Sequence, residues 1–123
     1  MAISPRSLVP LAHVADVARS IAFYGRLGLT VRNTFVPPGQ TDPSWAWLES
    51  GGARLMVGRA DLPLTPESEG VLFYIYVDDV AAARAALESD GVAVGPISYP
   101  FYAPRGEFRV HDPDDYVLMV THT

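Results

Sequence analysis

VADVARSIAFYGRLGLTV, residues 14–31, recurs in altered form as VDDVAAARAALESDGVAV at residues 77–94. The two stretches are 63 positions apart, and seven of their eighteen columns are identical. The same shift places the LMV of 55–57 on the LMV of 118–120. Because one offset matches both ends of each half, the sequence indicates two copies of one structural unit.

Each copy predicts the same order of elements, βαβββ. An Asp that can cap a helix follows the first strand: Asp16 in the first copy, and Asp78 or Asp79 in the second. Gly28 and Gly91 stand just past the predicted helix ends, where a left-handed residue is favoured. The predicted bounds, first copy then second, are strand 8–14 and 71–77, helix 18–27 and 80–89, strand 29–35 and 92–97, and hairpin 45–50 with 54–58 and 107–111 with 116–121.

The segment between the copies, DLPLTPESEG at 61–70, is polar, carries two prolines and is predicted to be a linker. We expect a single domain over residues 1–123, with unit one at about 7–60 and unit two at about 71–123. The expected fold class is α+β, built from two pseudo-symmetric βαβββ units.

The composition of the 123-residue chain, 49% hydrophobic and 19% charged, is typical of a folded soluble domain. Its formal charge of −5 argues against a nucleic-acid partner. The absence of cysteine excludes disulfides, thiolate metal sites and a thiol nucleophile. No apolar run is long enough for a membrane helix, and MAISPRSLVP lacks a signal pattern, so we expect a cytoplasmic protein without a membrane partner.

The paired βαβββ units, with VADVARSIAFYGRLGLTV near the start and GEFRVHDPDDYVLMV (106–120) at the end, resemble the vicinal oxygen chelate superfamily. Its members include glyoxalase I, extradiol dioxygenases, fosfomycin-resistance enzymes and bleomycin-resistance proteins. The resemblance covers nearly the whole chain. It implies that each unit curls a mixed sheet into half of an open cup, a scaffold that hosts many chemistries.

The family's metal enzymes usually place ligands on the first and last strands of each unit. The matching positions in this chain are Val9, Met56, Leu72 and Met119, and the repeat relates 9 to 72 and 56 to 119. Divalent ions of these enzymes need His, Asp or Glu, whereas two thioethers suit at best a soft ion such as copper(I). An apolar floor to the cup is the alternative. The pattern is therefore nearest to the metal-free, bleomycin-resistance-like branch, with no metal and no cofactor.

His111 is followed by three carboxylates, Asp112, Asp114 and Asp115, which suggests either a metal site or a tight turn. Asp-Pro-Asp is typical of turns, because Asp accepts from nearby backbone N–H groups and Pro presets its own dihedral. Family members commonly carry Gly at the place of Asp115, where Asp tolerates a left-handed backbone at some cost. These carboxylates are thus explained without a metal.

Strand alternation predicts which side chains face the cup. Leu11, His13 and Glu49 are expected there, beside a larger aromatic and charged set that would bind a flat or cationic small molecule. The predicted ligand-binding residues are Phe35, Trp45, Trp47, Arg54, Met56, Tyr74, Tyr76, Tyr99, Phe101, Tyr102, Glu107, Arg109 and Met119. The alternative is that these side chains merely fill the inside of the sheet.

Acid–base catalysis has two candidates, Glu107 and His13, although Glu107 and Arg109 are more simply an ion pair on one strand face. His122, the penultimate residue, is expected to fray. The sequence favours a homodimeric, metal-free protein that sequesters an aromatic or cationic ligand, such as an antibiotic. The alternatives are a superfamily enzyme, metal-independent or with atypical metal ligands, and a regulatory module whose cup is filled by its own side chains.

Overall fold

The computed structural model describes residues 4, 6–61 and 72–123, and the chain divides into two compact units, Met1–Leu64 and Thr65–Thr123. Each unit carries one helix and one mixed sheet that is not closed, which confirms the α+β class. The predicted linker, beyond Asp61, lies outside the described residues. The elements are β1 (Leu11–Val14), α1 (Val17–Gly25), β2 (Thr30–Phe35), β3 (Trp45–Ser50), β4 (Ala53–Arg59), β5 (Phe73–Tyr76), α2 (Val80–Ser89), β6 (Phe108–His111) and β7 (Val117–Thr121).

Unit one orders its strands β1-β4-β3-β2, with β1 parallel to β4 and the other pairs antiparallel. The Asp16 carboxylate caps α1 by accepting from the backbone N–H of Arg19 at 3.2 Å, as predicted. One face of the sheet is buried beside α1, which contacts β2, β3 and β4. Its apolar core is formed by Ala12, Val14, Val17, Phe23, Tyr24, Ala46, Leu48, Leu55 and Val57.

Both β1 and α1 are shorter than predicted. Pro10 has no N–H to donate, and the ladder of β1 begins one residue later, although the Pro10 carbonyl still accepts from Met56 N at 2.9 Å. The helix ends at Gly25 and a turn follows, in which Gly28 adopts a φ of 91° and Leu29 N donates to the Tyr24 carbonyl at 3.0 Å. This is the left-handed helix end that the glycine predicted.

Unit two orders its strands β5-β7-β6, with β5 parallel to β7 and β6 antiparallel to β7. Asp79 rather than Asp78 caps α2, through Ala82 N at 2.9 Å. The parallel register pairs Tyr74 with Met119, and in unit one it pairs Leu11 with Met56. Tyr74 and Met119 each stand 63 positions after Leu11 and Met56, so the sequence repeat is a repeat of strand pairing.

The hairpin of unit two is one residue longer between paired positions than that of unit one: Arg109 pairs with Met119, ten positions on, whereas Trp47 pairs with Met56, nine positions on. Gly51 and Gly52 link β3 to β4, and the turn at 112–116 links β6 to β7. In the longer turn Asp112 Oδ1 accepts from Asp114 N at 2.8 Å and from Tyr116 N at 2.9 Å, and Asp115 has a φ of 66°. The turn prediction for His-Asp-Pro-Asp-Asp is therefore confirmed.

The predicted strand at 92–97 is wrong as a continuous strand. The segment pairs with β6 at isolated bridges, Val94 with Val110 and Ser98 with Glu107. Pro96 between them has no N–H to donate to a ladder. The backbone beside it is close to β6, since Gly95 N donates to the Arg109 carbonyl at 2.9 Å.

Gly28 and Gly106 both have a positive φ, but only Gly106 is also closely packed, so substituting each one distinguishes backbone strain from steric overlap. Gly28 has a φ of 91° and open space around it, whereas a Cβ on Gly106 (φ 103°) would lie 2.7 Å from Ile97 Cγ2. We expect Gly28→Ala to lower the free energy of unfolding by about 1 kcal/mol, and Gly106→Ala by about 2–4 kcal/mol because overpacking adds to strain. Urea unfolding measures both variants, and equal losses would contradict the close packing at Gly106.

Asp115 offers a second test of the backbone. Because Gly adopts a positive φ without the Cβ penalty, we expect Asp115→Gly to raise the free energy of unfolding by about 0.5–1 kcal/mol. Asp115→Ala at the same position should lower it. Thermal and urea unfolding of the two variants measure the direction of each change in stability. A loss of stability in both would show that the Asp115 side chain contributes more than the strain of its φ costs.

Candidate functional site

The face of the unit-one sheet opposite α1 carries aromatic and thioether side chains in adjoining rows. Leu11, Met56 and Trp47 are register partners on β1, β4 and β3. Trp45 pairs with Phe35 on β2. Since directly paired residues lie on the same face of a sheet, the structure brings these five predicted side chains together. The two indoles are half-buried, and Phe35 is 55% exposed.

A polar cluster fixes one indole on this face. Trp47 Nε1 donates to Glu49 Oε1 at 2.9 Å, and the same carboxylate lies 3.7 Å from Arg54 Nε and 3.9 Å from Arg32 Nε. The Arg32 side chain is 64% exposed and that of Arg54 42%, so the ion pairs add little stability. These contacts instead fix the orientation of the Trp47 ring, because its N–H is bonded to a carboxylate that two arginines hold in place.

Arg32 is the residue of this cluster that the sequence did not reveal. The register of β2 against β3 shifts between Val31 and Asn33, and Arg32 is the extra residue of this bulge. A bulge turns a side chain toward a face that strict alternation would not give it. The sequence carries no sign of it beyond an ordinary strand pattern.

The corresponding face of unit two also carries the side chains predicted for it. Tyr74, Met119 and Arg109 are register partners across β5, β7 and β6, and Tyr76 pairs with Thr121. The Tyr74 and Tyr76 rings are stacked, with centroids 6.3 Å apart and planes at 28°. They are 44% and 60% exposed. The predicted hairpin phase, with Arg109 on the face of Met119, is confirmed.

Glu107 lies one residue before β6 and is 3% exposed. Its Oε1 accepts from the hydroxyl of Tyr102 at 2.9 Å, and its buried Oε2 has no hydrogen-bond partner. This bond raises the pKa of Tyr102 above its ordinary 10.0, with desolvation and the charges of Glu107 and Tyr74 adding to the shift. Tyr102 therefore stays protonated, and a donor to Glu107, to higher pH than an ordinary tyrosine does. The predicted pairing of Glu107 with Arg109 stays a prediction.

The loop before Glu107 carries the remaining aromatic candidates. Tyr99 approaches Gly106, and Phe101 meets Tyr102 edge to face at 5.4 Å while remaining 95% exposed. Arg105 ties the loop to the end of the chain. Its backbone N–H donates to His122 Nε2 at 2.9 Å, and its Nη2 donates to the Thr123 carbonyl at 2.7 Å.

The expectation that His122 frays is wrong. His122 is 9% exposed, and the bond to Arg105 N holds its ring against the loop. The sequence position near a terminus suggested fraying, but a ring nitrogen that accepts a backbone N–H satisfies a donor that would otherwise need water. His122 therefore supports the loop that carries Tyr102.

The remaining histidines and the positions of family metal ligands do not form a metal site. His13 is exposed opposite Gly58, and His111 Nδ1 lies 4.0 Å from Asp115 Oδ1. Within residues 4, 6–61 and 72–123, no group of three or more His, Cys, Asp or Glu could hold a metal ion. The positions matching the family's ligands, Val9, Met56, Leu72 and Met119, offer aliphatic and thioether groups, which do not fit the divalent ions of the metal enzymes.

Comparison with known families decides the assignment of the chain. The family model described as Glyoxalase/Bleomycin resistance protein/Dioxygenase superfamily matches residues 9–120. The chain belongs to this superfamily. Membership confirms the resemblance seen in the repeat and in the closing hairpin. No curated protein matches, so the superfamily is the level at which sequence comparison places the chain.

Solved structures of this superfamily's fold match over nearly the whole chain. A bleomycin resistance determinant encoded on the transposon Tn5 is 19% identical, with a TM-score of 0.74 over 97% of this chain and 98% of its own. A bleomycin-binding protein complexed with bleomycin is 20% identical, with a TM-score of 0.73 over 97% and 99%. A protein of unknown function from Agrobacterium tumefaciens is 24% identical, with a TM-score of 0.72 over 99% and 97%. At such identities the likeness shows the fold alone.

The part of the chain that the structure describes contains no helix long and apolar enough to span a bilayer.

The bond between Tyr102 and Glu107 predicts a late tyrosine titration. Because the folded pKa of Tyr102 is raised, the stability from this bond is fully present below pH 10.0 and is lost as the pH rises through the raised value. Absorbance titration of the six tyrosines should show a phenolate that forms later than free tyrosine. Tyr102→Phe should abolish this component and Glu107→Gln should move it to lower pH, whereas an unchanged titration in both variants would contradict the bond.

Proposed function

We propose that the protein is a metal-free small-molecule-binding protein of the bleomycin-resistance type, which sequesters an aromatic or cationic ligand on the aromatic faces of its sheets. The observation that carries the proposal is the rows of rings and thioethers on the face of each sheet opposite its core. Trp47 beside Met56 in one unit and Tyr74 beside Met119 in the other stand on rigid strands. The shared fold with a protein solved in complex with bleomycin supports the same function.

The physical properties of these faces suit binding. Large rings that are partly exposed on a strand keep apolar surface in contact with water, and a flat ligand can cover that surface. Each stacked or cation–π contact contributes about 0.5–2 kcal/mol. The two methionines, Met56 and Met119, adapt to ligands of irregular shape because the thioether side chain is flexible.

The donor chemistry supports a metal-free protein. Thioethers at Met56 and Met119 replace the carboxylate or imidazole that a hard cation needs. An enzyme of the superfamily, metal-independent or with atypical ligands, is the second candidate, and the buried carboxylate of Glu107 is the observation that favours it. The homodimeric state and the cytoplasmic location stay predictions.

Intrinsic fluorescence tests the proposed function directly, because both tryptophans of the chain, Trp45 and Trp47, lie on the candidate face. We expect a saturable change in tryptophan fluorescence with bleomycin or with the flat cationic dye proflavine. Phe35→Ala should weaken the affinity about five- to tenfold, since it removes the stacking ring paired with Trp45. Calorimetry with the same ligands measures the dissociation constants.

The matched control is Leu8→Ala, which truncates another exposed apolar side chain, 87% exposed and outside the strands. Its affinity should equal that of the unaltered protein. Elemental analysis of the purified protein accompanies the titrations. Stoichiometric bound metal would contradict the metal-free proposal, and the absence of saturable binding by either ligand would contradict sequestration.

A further inference from the structure

Glu107 presents a carboxylate that the fold buries and satisfies only in part. The residue is 3% exposed, one oxygen accepts from Tyr102, and Oε2 has neither solvent contact nor a hydrogen-bond partner. Leaving a buried acceptor unpaired costs about 1–3 kcal/mol, and more for a charged group. A donor that arrives from outside the chain would satisfy this acceptor.

The groups around Glu107 define what such a donor looks like. The stacked Tyr74–Tyr76 pair lies on the same face of the sheet, and Tyr74 is near enough for its charge to act on Tyr102. Flat aromatic faces beside a carboxylate suit a planar cation, which stacks on the rings and donates to the oxygen. Arg109 is on this face too, but it is exposed, so water screens its charge far more than that of a buried carboxylate.

We propose that Glu107 anchors the cationic nitrogen of the ligand, an aromatic amidinium, guanidinium or protonated amine, whose N–H donates to Oε2 while its flat part lies on Tyr74 and Tyr76. This inference rests on the proposed function and specifies the class of ligand. A charge-assisted bond in a site with little water is stronger and more selective than stacking alone. The binding face of unit two therefore discriminates a cation from a neutral ring of the same shape.

Because Oε2 is closed to solvent, a ligand reaches it only if a neighbouring side chain shifts, and Tyr102, which bonds the other oxygen, is suited to do so. Its ring is 58% exposed, and its aromatic neighbour Phe101 is 95% exposed. Little packing is lost when this ring shifts. Its hydroxyl bond to Oε1 shares the charge of Glu107, so removing that hydroxyl should strengthen the attraction of the carboxylate for a cation.

The test compares two probes that differ in charge and not in shape, naphthamidine, which is cationic, and naphthamide, which is neutral. We expect calorimetry to show naphthamidine bound about tenfold more tightly or better by the unaltered protein. Glu107→Gln, which keeps an acceptor for Tyr102, should abolish the preference while naphthamide affinity is retained. Tyr102→Phe should instead increase the preference for naphthamidine, the opposite of the effect expected for Glu107→Gln.

Glu88→Gln is the matched control, because it makes the same chemical change at an exposed position on α2. It should leave the preference unaltered. Thermal unfolding of each variant reports on its folding, and Tyr102→Phe provides an independent test if Glu107→Gln is unstable. Equal binding of both probes, or a preference that survives Glu107→Gln, would overturn the inference and leave small-molecule binding intact. Failure of both probes to bind would contradict this inference and the proposed function together.

Discussion

The parallel pairing of the first and last strands of each unit is the constraint on which the rest of the structure depends. Leu11 beside Met56, and Tyr74 beside Met119, join strands that are separated by a helix and the remaining strands of the unit. In unit one this pairing sets the buried face under α1 and leaves the opposite face without a helix. The residues that could recognise a ligand are therefore a by-product of how each βαβββ unit closes its own core.

Much of the fold was predictable because it is encoded by local signals that repeat. Asp16 and Asp79 cap the helices, Gly28 and Gly91 have positive φ, and strand alternation put Trp47 beside Met56. These features depend on residue type and spacing, which one sequence displays in full. The internal repeat then supplied an independent check on each of them.

The unpredicted features depend on contacts between distant residues or on backbone irregularity. Arg32 reaches Glu49 because of a bulge, and His122 is buried because it accepts from Arg105 N. Likewise Tyr102 finds Glu107 because Gly106, with a φ of 103°, turns the loop back onto β6. That the predicted residues bind one ligand stays a prediction, since strand register and exposure define the surface but not the molecule that binds to it.

The single-residue difference between the two hairpins has a consequence for how a duplicated protein acquires new chemistry. Relative to the methionine of its neighbouring strand, Arg109 occupies the place that Trp47 has in unit one, and Glu107, two residues earlier, takes the place of Trp45. The order and direction of the paired strands are the same in both units. Because the hairpin of unit two is one residue longer, a different residue of the repeat stands beside the methionine. At these two positions the repeated scaffold thus carries indoles in unit one and charged groups in unit two, so equivalent places in the two sheets differ in chemistry.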